Sequence, residues 1–230
     1  MLDELKKEQG WVNGFFQQVI RGWMIGDLKR LTENILPIPN SDGNCNFPIS
    51  LYVFSCIEFL GYLTTEDFDS IKDGPGGYSS RRIITFIENF FPDESKREIE
   101  PYKALFVNIF RNGLAHEYFA KSAGISRSVE HLLYKDSTGN LILDADRFAS
   151  TFEQSTTKLK EKIASDDNLV KRIYERYHEN YNKNANFSKN TPISTSTTLI
   201  ESFATLSRES YTTTQPMDFN VNFNNKDSNK

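Results

Sequence analysis

From Phe47 to about Leu63 the chain is apolar nearly all round, with Leu51, Tyr52, Phe54, Ile57, Phe59 and Leu60 spread over every side of a helix. Such a helix finds no place at a surface and sits in the middle of a bundle. Turn-forming residues isolate it. Pro37, Pro39 and the run Asn40-Ser41-Asp42-Gly43-Asn44 precede it, and Gly74-Pro75-Gly76-Gly77 forms a loop beyond it.

Helices able to wrap this one lie on both sides. Residues 2–35 read as helix, divided near Gly22 and Gly26, and Trp11, Phe15, Val19 and Trp23 recur at helical spacing along one buried face. A third helix runs from Ser79 to Phe91 and stops at Pro92. A fourth starts near Glu94 or Ile99 and reaches Phe119, with Tyr102, Leu105, Phe106, Ile109, Phe110, Gly113 and Leu114 as its core stripe. Residues 120–124 break it. Two β-like runs then flank Asp136-Ser137-Thr138-Gly139-Asn140, which gives a hairpin over about 129–143. A fifth helix covers about 144–164 and a sixth about 166–181. The expected fold class is therefore all-α, a helical domain over 1–182 with one small β-hairpin between the fourth and fifth helices. From 183 to 230 Asn, Ser and Thr dominate and periodicity fades. That composition cannot bury enough surface to offset the cost of ordering, so a disordered tail is expected.

Composition narrows the function. Eighteen phenylalanines in 230 residues supply a core, while the net charge of −4 rules out a broad basic coat. Any RNA contact must be local, made by a few residues in a cleft. Cys56 lies in the apolar helix and Cys45 in a polar loop; two cysteines make no disulfide scaffold, and no Cys/His spacing suggests zinc. No metal and no cofactor is expected. The mixed-charge start, Met1 to Gln9, lacks the apolar run of a signal peptide. No stretch reads as the ~20 apolar residues of a membrane span. The expectation is a soluble, cytoplasmic protein with reduced thiols and no membrane partner.

The chemistry gathers near the end of the fourth helix, in Phe110-Arg111-Asn112-Gly113-Leu114-Ala115-His116-Glu117. Nothing in the packing of an apolar helix asks for Arg-Asn and then His. An arginine presents a fork of donors that fits phosphate, and a histidine titrates near neutrality. At ~100° per residue Asn108, Asn112 and His116 fall in one row, and Arg111 and Ala115 in the next. Arg111 and His116 are then ~140° apart, able to flank a groove but not to grip one atom. Gly113 costs a helix up to ~1 kcal/mol relative to Ala and would allow another backbone to approach. A plainer reading stays open: a capped helix end, with Arg111 paired to Glu117 or a neighbouring acid and His116 satisfied by a carbonyl. The spacing from Arg172 to His178 is a decoy on a charged helix and reads as a solvated face. His131 reads as a surface residue of the hairpin, and Arg81-Arg82 as a chance basic pair.

A helical bundle whose late, apolar helix carries Arg-polar-x3-to-5-His resembles the HEPN superfamily, the higher-eukaryote and prokaryote nucleotide-binding fold. The matching residues are Arg111, Asn112 and His116, and the order of helices agrees over roughly residues 1–180. The resemblance implies an antiparallel helix bundle and a metal-independent RNA endonuclease that works as a homodimer. It also implies a role as a toxin or an effector of antiviral defence. Other members have lost catalysis and bind RNA, nucleotide or partner proteins, so a non-catalytic adaptor is the alternative. RNA, a second copy of the chain and an antitoxin or regulatory protein are the expected partners. In the catalytic case His116 moves protons, Arg111 holds the phosphorane charge and Asn112 orients a phosphate oxygen or His116 itself. Asn108, Lys121 and Arg127, near the motif, are the candidates for guiding RNA.

Overall fold

A computed structural model of the chain describes residues 2–38, 44–66, 77–117, 120, 123–127 and 130–190. It divides into two units, Met1–Asn180 and Tyr181–Lys230, and of the second the described part is the end of the last helix. The first unit is mostly helical and carries a small three-stranded sheet.

The apolar run forms α3, Asn46–Thr64, at the centre. Pro48 falls in its first turn, where a missing N–H breaks no helical bond. The chain enters through Cys45 in the left-handed region, at φ 57°. Ile49, Val53, Phe54, Ile57, Leu60 and Leu63 are buried. Among the described residues α3 is also the one helix long and apolar enough to cross a membrane by length and composition, which the sequence reading did not anticipate. Here 56% of that span is buried inside the fold, as befits a core helix.

On one side of α3 lies α1, Leu2–Phe15, which passes without a break into a π-helical stretch, Phe16–Ile25, and then α2, Gly26–Glu33. Widening the turn from i→i+4 to i→i+5 bonds changes which residues face inward. Phe16, Ile20 and Ile25 are buried, whereas Trp23, expected on the buried face, is 66% exposed.

Then comes α4, Gly77–Phe90, laid along α3, and α5, Asp93–Ile99. Pro101 lacks the N–H that would continue the helix, and Glu100–Tyr102 tightens into a 3₁₀ turn. The expected fourth helix is thus composite. It continues as α6, Lys103–Phe106, a second π-helical stretch, Val107–Asn112, and α7, Gly113–Glu117. Its expected end at Phe119 lies outside the described residues. Phe106, Val107, Phe110, Gly113 and Leu114 are buried, but Leu105, placed by helical spacing in the core stripe, is 53% exposed.

The expected hairpin forms from β2, Leu133–Lys135, and β3, Leu141–Asp144, with Leu133 opposite Leu143 and Lys135 opposite Leu141. Its turn closes on Asp136, whose carboxylate accepts the N–H groups of Thr138 and Asn140 at 2.9 Å each, with Gly139 at φ 87°. An unexpected strand, β1, Ala123–Ser126, pairs parallel to β3, so the order is β1-β3-β2. Four residues, Ala-Gly-Ile-Ser, show no alternation that would mark a strand. β3 runs straight into α8, Ala145–Ile163, capped by buried Asp144, which accepts the Arg147 N–H at 2.7 Å. The last helix, α9, covers Asp167–Asn190, beyond the expected end near Tyr181.

Aromatic packing fixes the motif segment against the centre. Phe54 of α3 meets Phe106 at 5.4 Å and Phe148 of α8 at 4.7 Å with tilted rings, and Phe106 meets Phe110 at 5.6 Å between centroids.

Candidate active site

One turn beyond Phe54 on α3 stands Glu58, and five residues beyond Phe106 stands Arg111. Positions five apart diverge by ~140° on an α-helix, but the π-helical turn closes i→i+5 and brings them nearer one line. Arg111 therefore follows Phe106 toward α3. The row of Asn108, Asn112 and His116 assumed regular α-helix geometry, and the π-helical stretch changes that geometry.

Arg111 donates from Nε and from Nη2 to Oε2 of Glu58, at 3.1 and 2.9 Å. Its Nη1 donates to Oδ1 of Asn112 at 3.0 Å. The other carboxylate oxygen of Glu58 accepts the Ser79 hydroxyl of α4 at 2.5 Å. The Arg111 and Glu58 side chains are 21% and 18% exposed, so the pair is sheltered without being sealed. A shallow groove of about 360 Å³ runs beside it, lined by Ser55, Glu58, Phe59, Tyr62 and Arg82. The Arg82 guanidinium lies over the Tyr62 ring at 4.8 Å from its centroid.

The structure thus joins Arg111 to Asn112, both half-buried, and leaves His116 exposed on α7. Asn108 is exposed as well. Lys121 lies outside the described residues. The acid that pairs with Arg111 is Glu58, from another helix, rather than a neighbour in sequence. Gly113 is buried within its own chain, so it is not a surface against which a second backbone could rest.

Arg127 is corrected from a substrate guide to an internal lock. Its side chain is 2% exposed and its guanidinium is fully engaged. Nε donates to both oxygens of Asp146, at 3.0 and 3.1 Å, while Nη1 and Nη2 reach the carbonyls of Ile35, Asn44 and Thr32. A group so placed has no donor to spare for RNA. The solvated-face reading of α9 also fails in part. Arg172 and Arg176 donate to the carbonyls of Thr64 and Tyr62 and so satisfy the C-terminal end of α3. His178 packs with tilted rings against Trp11 at 4.6 Å and Tyr174 at 4.1 Å between centroids. His131 is 63% exposed beside Glu98. Among the described residues no cluster of three or more His, Cys, Asp or Glu could hold a metal ion.

Glu58 and Ser79 were missed from the sequence. The signal was present: Glu58 is the only charged residue in the whole of α3. No family model matches this chain, nor does any curated protein or solved structure.

Proposed function

We propose that this chain is a metal-independent RNA endonuclease of the HEPN type, acting in the cytoplasm as a toxin or defence effector. The observation that supports the reading is that one composite helix carries both an Arg111 held in orientation by Glu58 and Asn112 and, five residues on, an exposed His116. Cleavage needs a proton taken from the 2′-hydroxyl, charge held on the phosphorane and a proton given to the 5′-oxygen. An exposed imidazole suits the proton transfers. A guanidinium held in one orientation suits the phosphorane.

One chain offers one such histidine and the reaction has two proton-transfer roles, so the working form we propose is a two-fold homodimer. Leu105, Asn108, Ala115 and His116 are exposed along the motif helix, which gives a second copy a face to meet. Purified protein incubated with total RNA should cut it equally with and without EDTA, and light scattering should report about twice the 26.5 kDa chain mass. Mixing Arg111→Ala and His116→Ala chains should restore part of the activity if the sites are composite. RNA left intact under both conditions would sink the endonuclease reading.

A second reading, a non-catalytic or partner-silenced binding module, is favoured by the hold of Glu58 on Arg111, which offsets the charge a phosphate would seek. RNA or partner binding without cleavage is what it predicts.

A further inference from the structure

We propose that Glu58, braced by Ser79, is the positioning residue for Arg111, fixing the guanidinium so that its remaining donors face the phosphodiester. The inference rests on the endonuclease reading and adds to that site a residue from a different helix.

A lone carboxylate on a core helix is costly, because it leaves water for a site 18% exposed. Replacing a sheltered ion pair by apolar side chains is often neutral or stabilising, so fold stability is a poor account of Glu58. Its geometry is a better one. Both carboxylate oxygens are engaged, one by Arg111 and one by Ser79, and the two bonds come from different helices. The carboxylate is therefore held from two sides, and it holds the Nε–Nη2 edge of Arg111 in turn. Asn112 takes one Nη1 donor. Three of the five N–H donors of the guanidinium are occupied in these bonds, which leaves one on each Nη for a ligand. A planar group fixed at three points keeps those two donors in one orientation before RNA arrives, and geometry set in advance is what speeds the chemical step. The charge of Glu58 works the other way on binding, since a carboxylate beside a phosphate repels it. Removing it should therefore slow turnover without weakening RNA binding.

The test compares full-length wild type with Glu58→Gln, Glu58→Ala and Ser79→Ala. Cleavage of a single-stranded RNA is followed together with melting temperature and the ¹⁵N spectrum of arginine Nε–H groups. Arg111 is assigned by its missing signal in Arg111→Ala. For Glu58→Ala we expect kcat to fall about a hundredfold while KM does not rise. Glu58→Gln keeps a neutral acceptor and should retain more activity than Glu58→Ala. The Arg111 Nε–H should exchange slowly in wild type and fast in Glu58→Ala. An unchanged or raised kcat in Glu58→Ala, a Gln variant no better than Ala, or an unaltered Arg111 signal would each overturn the proposal. If Glu58→Ala does not fold, Glu58→Gln and Ser79→Ala decide, and full activity in both rejects it. If wild type cuts no RNA, the endonuclease reading falls by itself. Positioning is then judged with a 2′-O-methyl RNA: an Arg111 shift lost in Glu58→Ala upholds it, and no shift rejects it.

Discussion

A Cβ atom on Gly61 would stand 2.2 Å from the carbonyl oxygen of Arg82 and 2.7 Å from its carbonyl carbon. α3 and α4 therefore meet backbone to backbone, and the obstructing atoms cannot swing aside as a side chain would. That approach also brings Ser79 within reach of Glu58.

Gly61→Ala should destabilise the fold by about 1–3 kcal/mol through overpacking. The better helix propensity of Ala, worth at most ~1 kcal/mol, works against this and does not cancel it. RNA cleavage should fall too, because α4 must shift and Ser79 shifts with it. Urea unfolding and a cleavage assay check both; a variant as stable and as active as wild type would show that the helices can part freely.

His116→Ala should leave the melting temperature unchanged, because the side chain is exposed and its loss opens no cavity. RNA cleavage should drop by about 10²–10⁴-fold, the usual contribution of a general acid–base group. A well-folded variant that cuts at the wild-type rate would remove His116 from the mechanism.

Burial pushes the Cys56 thiol up to about 12. The neighbouring Tyr52 hydroxyl, which donates to the Met24 carbonyl at 3.2 Å, is also raised, first by burial and then by Cys56. With the folded value raised, the unfolded chain loses its thiol proton first, near pH ~8.5. The contribution to stability is thus whole below that pH and is lost as pH rises toward about 12. Urea midpoints should fall with alkaline pH more steeply in wild type than in Cys56→Ala. In the native protein an alkylating reagent should modify half-buried Cys45 and spare Cys56.

Arg127→Met should cost about 3 kcal/mol or more, since it removes the donors that Arg127 gives to Asp146 and to three backbone carbonyls. RNA affinity per folded molecule should not change. A loss of affinity with unchanged stability would return Arg127 to the list of RNA contacts.

The readability of this chain depended on how regular its backbone is. The 47–63 run announced a core helix because an apolar surface on all sides has one solution, and α3 follows it to within a residue at each end. The Asp136–Asn140 turn announced the hairpin through its own local bonds. Trp23 and Leu105 were misplaced where π-helical bonding, or the 3₁₀ turn just before Leu105, shifts the register away from 3.6 residues per turn. β1 was invisible because its partner lies across a hairpin and its four residues do not alternate. Arg127 looked like a surface charge because its partners lie far off along the chain. The Arg111–Glu58 pair is of the same kind, 53 residues apart, and charge counting along one helix could not reveal it.

The bonds of Arg127 also set an order in time. Its carbonyl partners, Thr32, Ile35 and Asn44, lie 95, 92 and 83 residues earlier. Loops of that length must close before the lock can form, so its interactions belong to the late side of the folding barrier. Arg127→Met should accordingly speed unfolding and leave the folding rate nearly unchanged, which stopped-flow refolding would read directly. On the ribosome the delay is longer still. At ~5–20 residues per second the carbonyls of Thr32, Ile35 and Asn44 wait on the order of ten seconds for Arg127 to be made. Through that interval the segment from Thr32 to Asn44 is held without its clasp.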